Sequence, residues 1–314
     1  MTVTRSERIP EFVDVLAAAA RIAPHAHVTP VLRSRTLDAL AGAELFFKCE
    51  NFQRVGAFKF RGACNAVWAL SDIDAAHGVV THSSGNHGAA LALAAKTRGI
   101  PAHVVVPEGA VKSKLAAIEA YGAQLYFCAP NMAAREAMAA QVQASTGPTL
   151  VHPFTDPLVI AGQGTAALEL ANEIDGLAAV VTPIGGGGLI GGTAIAVSGC
   201  AKGTRIFAAE PEGADEAWQS LQRGVRVTEH RPETVCDGLR GTLGEINFDL
   251  LRHYGVEILR VSDAETLAAQ RLIGERMKII VEPSSAIVLA AVLRYRDRFA
   301  GQRVGLVVTG GNVE

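Results

Sequence analysis

The sequence lacks the excess of basic residues that marks proteins of nucleic acid or anionic membranes. Its 29 Lys and Arg residues are balanced by 31 Asp and Glu residues, and the formal net charge is −2. Proteins that hold a phosphate backbone or lipid headgroups usually carry a basic patch. We therefore expect no nucleic acid and no membrane as partners, and the composition favours a small molecule.

Cysteine is also scarce, and its spacing excludes two classes of small domain. The chain has an odd number of cysteines, and none has the spacing of a metal finger: Cys49, Cys64, Cys128, Cys200 and Cys236. Because no signal peptide opens the chain, the sequence predicts a reducing cytoplasmic location rather than a disulfide framework. We expect all five cysteines to lie in or near the core.

One stretch, residues 176–201, lacks charge over a length that could span a bilayer. Pro183 and four consecutive glycines interrupt it. A strand, a turn and a helix buried in a parallel sheet explain this stretch better than a membrane helix does.

Short runs rich in Val, Ile and Leu alternate with Ala-rich helical stretches along the 314 residues. This alternation is typical of an α/β protein with a doubly wound parallel sheet. The predicted strands are residues 44–49, 78–81, 102–106, 124–128, 178–184, 205–209, 257–261 and 304–308.

Lys59 stands between Phe58 and Phe60. A lysine held partly out of water has a lowered pKa, so its amine can attack a carbonyl and form a Schiff base. Alternatively, its stem lies on an apolar surface and its ammonium reaches solvent.

Two turns in the sequence come just before predicted helices, where a ligand could bind to the helix start. The serine turn, residues 83–88, follows an apolar stretch and precedes an Ala-rich helix, so its N–H groups can attract a carboxylate. An ordinary helix cap is the alternative. The glycine turn consists of Gly185, Gly186, Gly187 and Gly188, whose backbone can approach and cradle a phosphate. A flexible surface turn is the alternative there.

A reactive lysine, a carboxylate-binding turn and a phosphate-binding turn together indicate pyridoxal phosphate and an amino-acid substrate. In this order, the three segments resemble the serine/threonine dehydratase and serine racemase family, which has the tryptophan-synthase-β-like (type II pyridoxal-phosphate) fold. The resemblance extends from about Thr29 to residues 309–313. It implies two open twisted sheets with helices on both faces and a homodimer. It also implies a large cofactor-binding domain of residues 1–72 and 151–314, and a small domain of residues 73–150.

The resemblance also implies roles for individual residues. Lys59 would hold the cofactor and then remove the substrate Cα proton, while Phe58 lines the cofactor ring. Asn86 would bind the 3′-oxygen, and the glycine turn with Leu189 would bind the phosphate. Thr309 would face the pyridine nitrogen, and a neutral hydroxyl there suits prompt loss of a β-leaving group. Without the family pattern, Thr309 would be read as a β-branched residue ending a strand.

The serine turn would bind the substrate through Ser83, Ser84, Gly85, Asn86 and His87. Ser84 matches the serine that racemases place opposite the lysine, and proton exchange on both faces of Cα needs two acid/base groups. His87 contributes its backbone, and we expect His82 to be a packed histidine without a catalytic role.

Arg135 matches a family arginine that can reach the distal end of the substrate. A guanidinium binds a carboxylate through two hydrogen bonds, so Arg135 would favour 3-hydroxyaspartate over serine or threonine. A solvated helix arginine is the alternative. The sequence departs from some racemases at Gly241, where they have serine, and this puts serine as the best substrate in doubt.

Several acidic residues follow the predicted strand 205–209. The family has a Mg²⁺ or Ca²⁺ site here, which Mn²⁺ could also fill, and the matching ligands are Glu210, the carbonyl of Ala214 and Glu216. An acidic surface loop is the alternative.

A nicotinamide-dependent oxidoreductase is the rival function. Gly186, Gly188 and Gly191 fit a dinucleotide-binding pattern, and Glu210 lies where a ribose-binding acid is expected. This hypothesis leaves Lys59 and the serine turn unexplained. The sequence therefore predicts a pyridoxal-phosphate ammonia-lyase that eliminates the β-hydroxyl of a 3-hydroxy amino acid, with racemisation as a second activity.

Overall fold

The computed structural model describes residues 8–313, which build two β-sheets with helices around them. The strands are β1 (Val31–Leu32), β2 (Glu44–Cys49), β3 (Val79–Thr81), β4 (Ala102–Pro107), β5 (Gln124–Cys128), β6 (Thr149–Leu150), β7 (Ala179–Pro183), β8 (Arg205–Pro211), β9 (Glu257–Val261) and β10 (Arg303–Val308). Every strand predicted from the sequence is present, with ends that differ by two residues at most. Only β1 and β6 were not predicted, because two residues show no periodicity.

Both sheets are mainly parallel. The larger has the order β1-β2-β10-β7-β8-β9, and within the described chain only β1 runs antiparallel to its neighbour. The smaller has the order β5-β4-β3-β6 and is parallel throughout. Parallel neighbours require crossover connections, which helices provide here. The structure confirms the predicted α/β fold with two open sheets.

Several of the helices begin at a residue whose side chain caps the first turn, or end at a left-handed glycine. They are α1 (Phe12–Ile22), α2 (Arg35–Ala41), α3 (Lys59–Trp68), α4 (Asp72–His77), α5 (Asn86–Arg98), α6 (Lys112–Ala120), α7 (Met132–Thr146), α8 (Pro157–Glu173), α9 (Gly188–Cys200), α10 (Glu216–Arg223), α11 (Glu245–His253), α12 (Asp263–Met277) and α13 (Pro283–Arg294). Asn131 caps α7 by accepting a hydrogen bond from the Ala134 N–H, and Gly147 ends it in the left-handed conformation.

The uncharged stretch 176–201 forms β7, the glycine turn and α9. Helix α9 packs closely on α8, because a Cβ at Gly192 would lie 2.3 Å from the Ile160 carbonyl oxygen. Among residues 8–313, no helix is long and apolar enough to cross a membrane. Burial inside an α/β core therefore explains this stretch.

Four of the five cysteines are buried, as predicted, but Cys200 is exposed. The prediction for Cys200 was wrong because it is the last residue of α9, where the helix leaves the core. All five thiols are free.

The sheets bring distant parts of the chain to one place. The strands of the smaller sheet come from the segment between Val79 and Leu150, while those of the larger sheet come from both flanking segments. Strands β3, β7 and β10 run directly into the serine turn, the glycine turn and Thr309. Ligands of open parallel sheets bind at such carboxyl ends. The exact domain borders stay a prediction.

Candidate active site

A cleft of about 460 Å³ lies where these strand ends meet. The serine turn and Arg135 line it from the smaller sheet, and Lys59, the glycine turn and Thr309 line it from the larger sheet. Segments far apart in the sequence thus share one cavity. The predicted cofactor and substrate residues at this cleft are Phe58, Lys59, Ser83, Ser84, Gly85, Asn86, His87, Arg135, Gly185, Gly186, Gly187, Gly188, Leu189 and Thr309.

Lys59 lines the cleft and is the first residue of α3, so this helix has its N-terminus at the cleft. Its Nζ donates a hydrogen bond to the Pro153 carbonyl oxygen at 2.9 Å and lies 5.1 Å from the centre of the Phe58 ring. Burial lowers the pKa of the Lys59 amine to about 8. Burial therefore favours the neutral, nucleophilic form of this amine more than water would.

Arg61, two residues further along the same helix, anchors α3 to the core. Its guanidinium donates to Glu50 at 2.7 and 2.8 Å and to Glu169 at 2.6 and 2.8 Å. The Phe58 N–H also donates to the Thr309 carbonyl oxygen at 2.9 Å, which joins the start of α3 to the end of β10. Paired charges of this kind are costly to disrupt, so Lys59 sits on a firmly held helix.

The serine turn leads into α5, whose first residue is Asn86. The last residue of the turn, Gly88, packs against its beginning, because a Cβ there would lie 2.1 Å from the Ser83 carbonyl oxygen. The middle of the turn is open, since a Cβ at Gly85 would meet no heavy atom within 4 Å. This leaves room for a ligand beside N–H groups at the start of a 13-residue helix.

Asn86 contacts residues that the sequence motifs did not reveal. Its Nδ2 donates to the two carboxylate oxygens of Glu282 at 3.2 and 3.3 Å, and its Oδ1 accepts from Asn312 Nδ2 at 2.9 Å. Burial raises the pKa of Glu282 to about 7. Glu282 precedes the Pro283 that opens α13, a helix-start pattern that could have drawn attention to it.

The glycine turn is enclosed on several sides. A Cβ at Gly186 would lie 2.3 Å from Cγ of Phe154, and one at Gly187 would lie 2.7 Å from Cβ of Asn247. Gly187 also has φ +90°, a conformation that L side chains rarely adopt. Any side chain at these two positions would collide with its neighbours. Because the glycines have none, the backbone can approach a phosphate at the start of α9.

Thr309 is 2% exposed and lies at the end of β10. Its Oγ1 is 2.9 Å from Ser285 Oγ, which in turn accepts a hydrogen bond from the Gly310 N–H at 2.6 Å. Ser285 fixes the Thr309 hydroxyl and was not predicted from sequence, because the contact joins separate segments.

Arg135 projects from α7 to the cleft without a partner for part of its guanidinium. Its Nε is buried and has no hydrogen-bond partner in the described residues. By contrast, Arg240 also lines the cleft, but it donates to the Thr234 carbonyl oxygen through Nη2 at 2.6 Å. Of these two arginines, Arg135 is therefore the one with a buried donor that lacks a hydrogen-bond partner.

The histidines near Lys59 are held neutral. His82 is 4% exposed and its ring packs edge-on against His152, with centroids 5.0 Å apart. Burial, together with the repulsion that a protonated His152 would meet from the titratable groups of His82 and Lys59, lowers the pKa of His152 to about 3. Burial also lowers the pKa of His87 well below its usual value. The expectation that His82 is a packed histidine agrees with this geometry.

Glu210 and Glu216 lie outside the cleft, on β8 and at the start of α10. Glu210 accepts N–H hydrogen bonds from Ala217 and Trp218, both at 2.9 Å, and Glu216 Oε1 accepts one from Leu243 at 3.0 Å. Burial raises the pKa of Glu216 to about 7 and that of Glu210 well above its usual value. The second oxygen of Glu216 is buried and has no partner among the described residues.

Comparison with known proteins identifies relatives over nearly the whole chain. The family model described as pyridoxal-phosphate dependent enzyme matches residues 22–310. The chain is 50% identical to the β-hydroxyaspartate dehydratase of Paracoccus denitrificans, over 98% of this chain and 97% of that protein. It is 43% identical to the L-threo-3-hydroxyaspartate ammonia-lyase of Saccharomyces cerevisiae, over 98% and 94%. The solved structure of maize serine racemase superposes with a TM-score of 0.95 at 43% identity, covering 98% of this chain and 95% of that one.

These matches also decide against the oxidoreductase hypothesis. The matching family uses pyridoxal phosphate. In addition, Glu210 is 2% exposed and its carboxylate oxygens accept hydrogen bonds from N–H groups in the first turn of α10, so it is not placed to bind a ribose. The oxidoreductase alternative was wrong.

Proposed function

This chain belongs to the family of pyridoxal-phosphate dependent enzymes, and we propose that it dehydrates and deaminates 3-hydroxyaspartate. The enzyme removes the Cα proton and expels the β-hydroxyl as water. The released enamine gains a proton at Cβ and hydrolyses to a 2-oxo diacid and ammonia. The names of two relatives, a β-hydroxyaspartate dehydratase and a 3-hydroxyaspartate ammonia-lyase, support this substrate class.

The observation that carries the substrate assignment is the unpartnered Nε of Arg135 at the cleft. A buried donor without a partner is costly, and a substrate carboxylate would satisfy it through charge-assisted hydrogen bonds. Serine and threonine have no second carboxylate, so they would leave Arg135 unpaired. Arg135 therefore favours 3-hydroxyaspartate among the 3-hydroxy amino acids.

The residues of the larger sheet fit the cofactor. Bound pyridoxal phosphate supplies an electron sink beside the substrate Cα. Lys59 holds the cofactor carbonyl and Phe58 lines its ring, while the glycine turn with Leu189 binds the phosphate. The enclosed glycines and the lowered pKa of Lys59 support these roles. Thr309 would donate a hydrogen bond from its neutral hydroxyl to the pyridine nitrogen, and the contact with Ser285 that fixes this hydroxyl supports the role.

The residues of the smaller sheet fit the substrate. The serine turn binds the α-carboxylate through N–H groups at the start of α5. Asn86 would donate to the cofactor 3′-oxygen, and its Nδ2 now donates only long hydrogen bonds to Glu282. Lys59 removes the Cα proton from one face. Ser84 serves as the acid/base group on the other face, which permits racemisation, as the likeness to a serine racemase suggests.

We assign a divalent ion, Mg²⁺ or alternatively Ca²⁺ or Mn²⁺, to Glu210, the Ala214 carbonyl and Glu216. The unpartnered Glu216 oxygen and the two buried carboxylates fit a hard cation, which would offset their desolvation. No cluster of three or more His, Cys, Asp and Glu side chains that could hold a metal occurs in the described part of the chain. Water would therefore complete the coordination, and the ion would act on stability rather than on chemistry in the cleft.

The remaining assignments follow the family pattern. We propose a small domain of residues 73–150, a homodimer and a cytoplasmic location. The division of strands between the two sheets and the five free cysteines support the first and the last.

A panel of serine, threonine and 3-hydroxyaspartate, each as all stereoisomers, tests the proposed reaction by 2-oxo acid formation. We expect the highest kcat/KM with one 3-hydroxyaspartate isomer. A higher kcat/KM with serine or threonine would reject the substrate assignment and leave the reaction type intact.

A further inference from the structure

The side chain of Asn247, on α11, joins two turns that border the cleft. Its Nδ2 donates to the Gly186 carbonyl oxygen at 2.7 Å and to the Phe154 carbonyl oxygen at 2.8 Å. Asn247 is fully buried, and both hydrogens of its amide are used in these two bonds. It thus acts on the backbone of the cleft without lining the cleft itself.

The bond to Gly186 determines where the next N–H points. The peptide bonds of the described chain are trans, so each C=O and the N–H of the following residue point in opposite directions. The Gly186 carbonyl is turned towards Asn247 and also accepts from the Gly244 N–H at 3.1 Å. The Gly187 N–H is therefore aimed away from α11, and Gly187 itself lines the cleft.

The bond to Phe154 fixes the wall behind the glycine turn. Within this second turn, His152 Nδ1 accepts from the Phe154 and Thr155 N–H groups at 3.4 and 3.2 Å. The Phe154 ring lies directly on the glycine turn, because a Cβ at Gly186 would be 2.3 Å from it. Asn247 therefore ties the glycine turn to the ring against which that turn packs.

We propose that Asn247 is a positioning residue for phosphate recognition: it holds the Gly186 carbonyl out of the cleft so that the Gly187 N–H can donate to the cofactor phosphate. A free glycine turn would sample both orientations of this peptide, and the carbonyl would repel the phosphate in one of them. The inference rests on the proposed placement of the phosphate at the glycine turn. A residue of α11, which does not line the cleft, would then contribute to cofactor affinity.

The test compares two ligands that differ only in the phosphate. Dissociation constants for pyridoxal 5′-phosphate and pyridoxal are measured by equilibrium dialysis of the purified full-length chain. Asn247→Asp keeps the shape and removes the donors, and Asn247→Leu does so without adding charge. We expect both variants to lower the affinity ratio of the two ligands at least tenfold, mainly by weakening pyridoxal 5′-phosphate.

Asn65→Leu is the matched control, because Asn65 is equally buried and donates to the Leu158 carbonyl oxygen at 2.7 Å, away from the glycine turn. Its affinity ratio should equal that of the wild type even if its melting temperature falls. An unchanged ratio in Asn247→Leu, or a loss only in Asn247→Asp, would reject the positioning role. A wild type that does not discriminate between the ligands would instead reject the phosphate placement itself.

Discussion

The glycine turn and the serine turn face each other across one cleft, yet they are held in different ways. Around the glycine turn, added Cβ atoms at Gly186 and Gly187 would collide with Phe154 and Asn247. In the middle of the serine turn, a Cβ at Gly85 would meet nothing within 4 Å. The glycine turn is closely packed against Phe154 and Asn247, whereas the middle of the serine turn is open.

The side of the cleft that bears the serine turn is joined to the opposite side by polar contacts. Asn86 bonds Glu282 and Asn312, and Lys114 of α6 forms an ion pair with Asp237. The Lys114–Asp237 ion pair is partly exposed, and exposed ion pairs contribute little to stability and can rearrange, unlike packed apolar contacts. A closely packed cradle suits a cofactor that stays bound, and an adaptable wall suits a substrate that enters and leaves at each turnover.

Ser84→Ala should have the largest effect, and it acts on one reaction only. Removal of the second acid/base group should slow racemisation by about 10²- to 10⁴-fold, the usual contribution of such a group. Elimination should persist for the enantiomer that presents its Cα proton to Lys59. Chiral chromatography of the recovered substrate and a 2-oxo acid assay measure the two reactions. Intact racemisation with reduced elimination would show that Ser84 belongs to the carboxylate-binding turn instead.

Arg135→Ala should separate substrates on the open side of the cleft. For 3-hydroxyaspartate, kcat/KM should fall by a factor that corresponds to a loss of about 2–5 kcal/mol in transition-state stabilisation. The reason is that one partner of a buried charge pair is removed. For serine, the loss should be much smaller. Steady-state kinetics with both substrates, with Arg135→Lys as the variant that keeps the charge, checks this. Equal losses for the two substrates would mean that Arg135 supports the site without reading a carboxylate.

Replacing glycine by alanine should lower cofactor affinity in the glycine turn but not in the serine turn. Gly186→Ala forces a Cβ to within 2.3 Å of the Phe154 ring. Overpacking costs about 1–3 kcal/mol, so cofactor affinity should fall by roughly five- to 150-fold. Gly85→Ala should leave cofactor affinity nearly unchanged. Equilibrium dialysis with pyridoxal 5′-phosphate compares the variants, and similar losses in both would refute the contrast between the turns.

The acidic site, outside both turns, should affect stability alone and by the smallest amount. Free Mg²⁺ at about five times its Kd should stabilise the fold by about 1 kcal/mol, a rise of a few degrees in melting temperature. Glu216→Gln should abolish the rise. Glu212→Gln, which alters a neighbouring carboxylate paired with Arg294, should keep it. Thermal melts in chelator and in Mg²⁺ test the site, and identical melts for the wild type would eliminate it.

The sequence predicted what local pattern determines. The strands with several apolar residues, the lysine between two phenylalanines and the two turns could all be found, because each is a short run with its own physical signature. The contacts that shape the cleft could not. Asn86 and Glu282 lie 196 positions apart, and Asn247 and Phe154 lie 93 apart. Their meeting depends on the order of strands in the two sheets, which no local pattern encodes.

The most direct test of the account is to find the lysine that binds the cofactor. Borohydride reduces an imine between a lysine and pyridoxal phosphate to a stable amine, and peptide mass spectrometry then locates the label. We predict that the label falls on Lys59. This residue begins α3, and burial lowers the pKa of its amine to about 8. Lys59→Ala should lose both the label and the visible absorbance of the imine between lysine and cofactor. A label on another lysine, or retained absorbance in Lys59→Ala, would contradict the account.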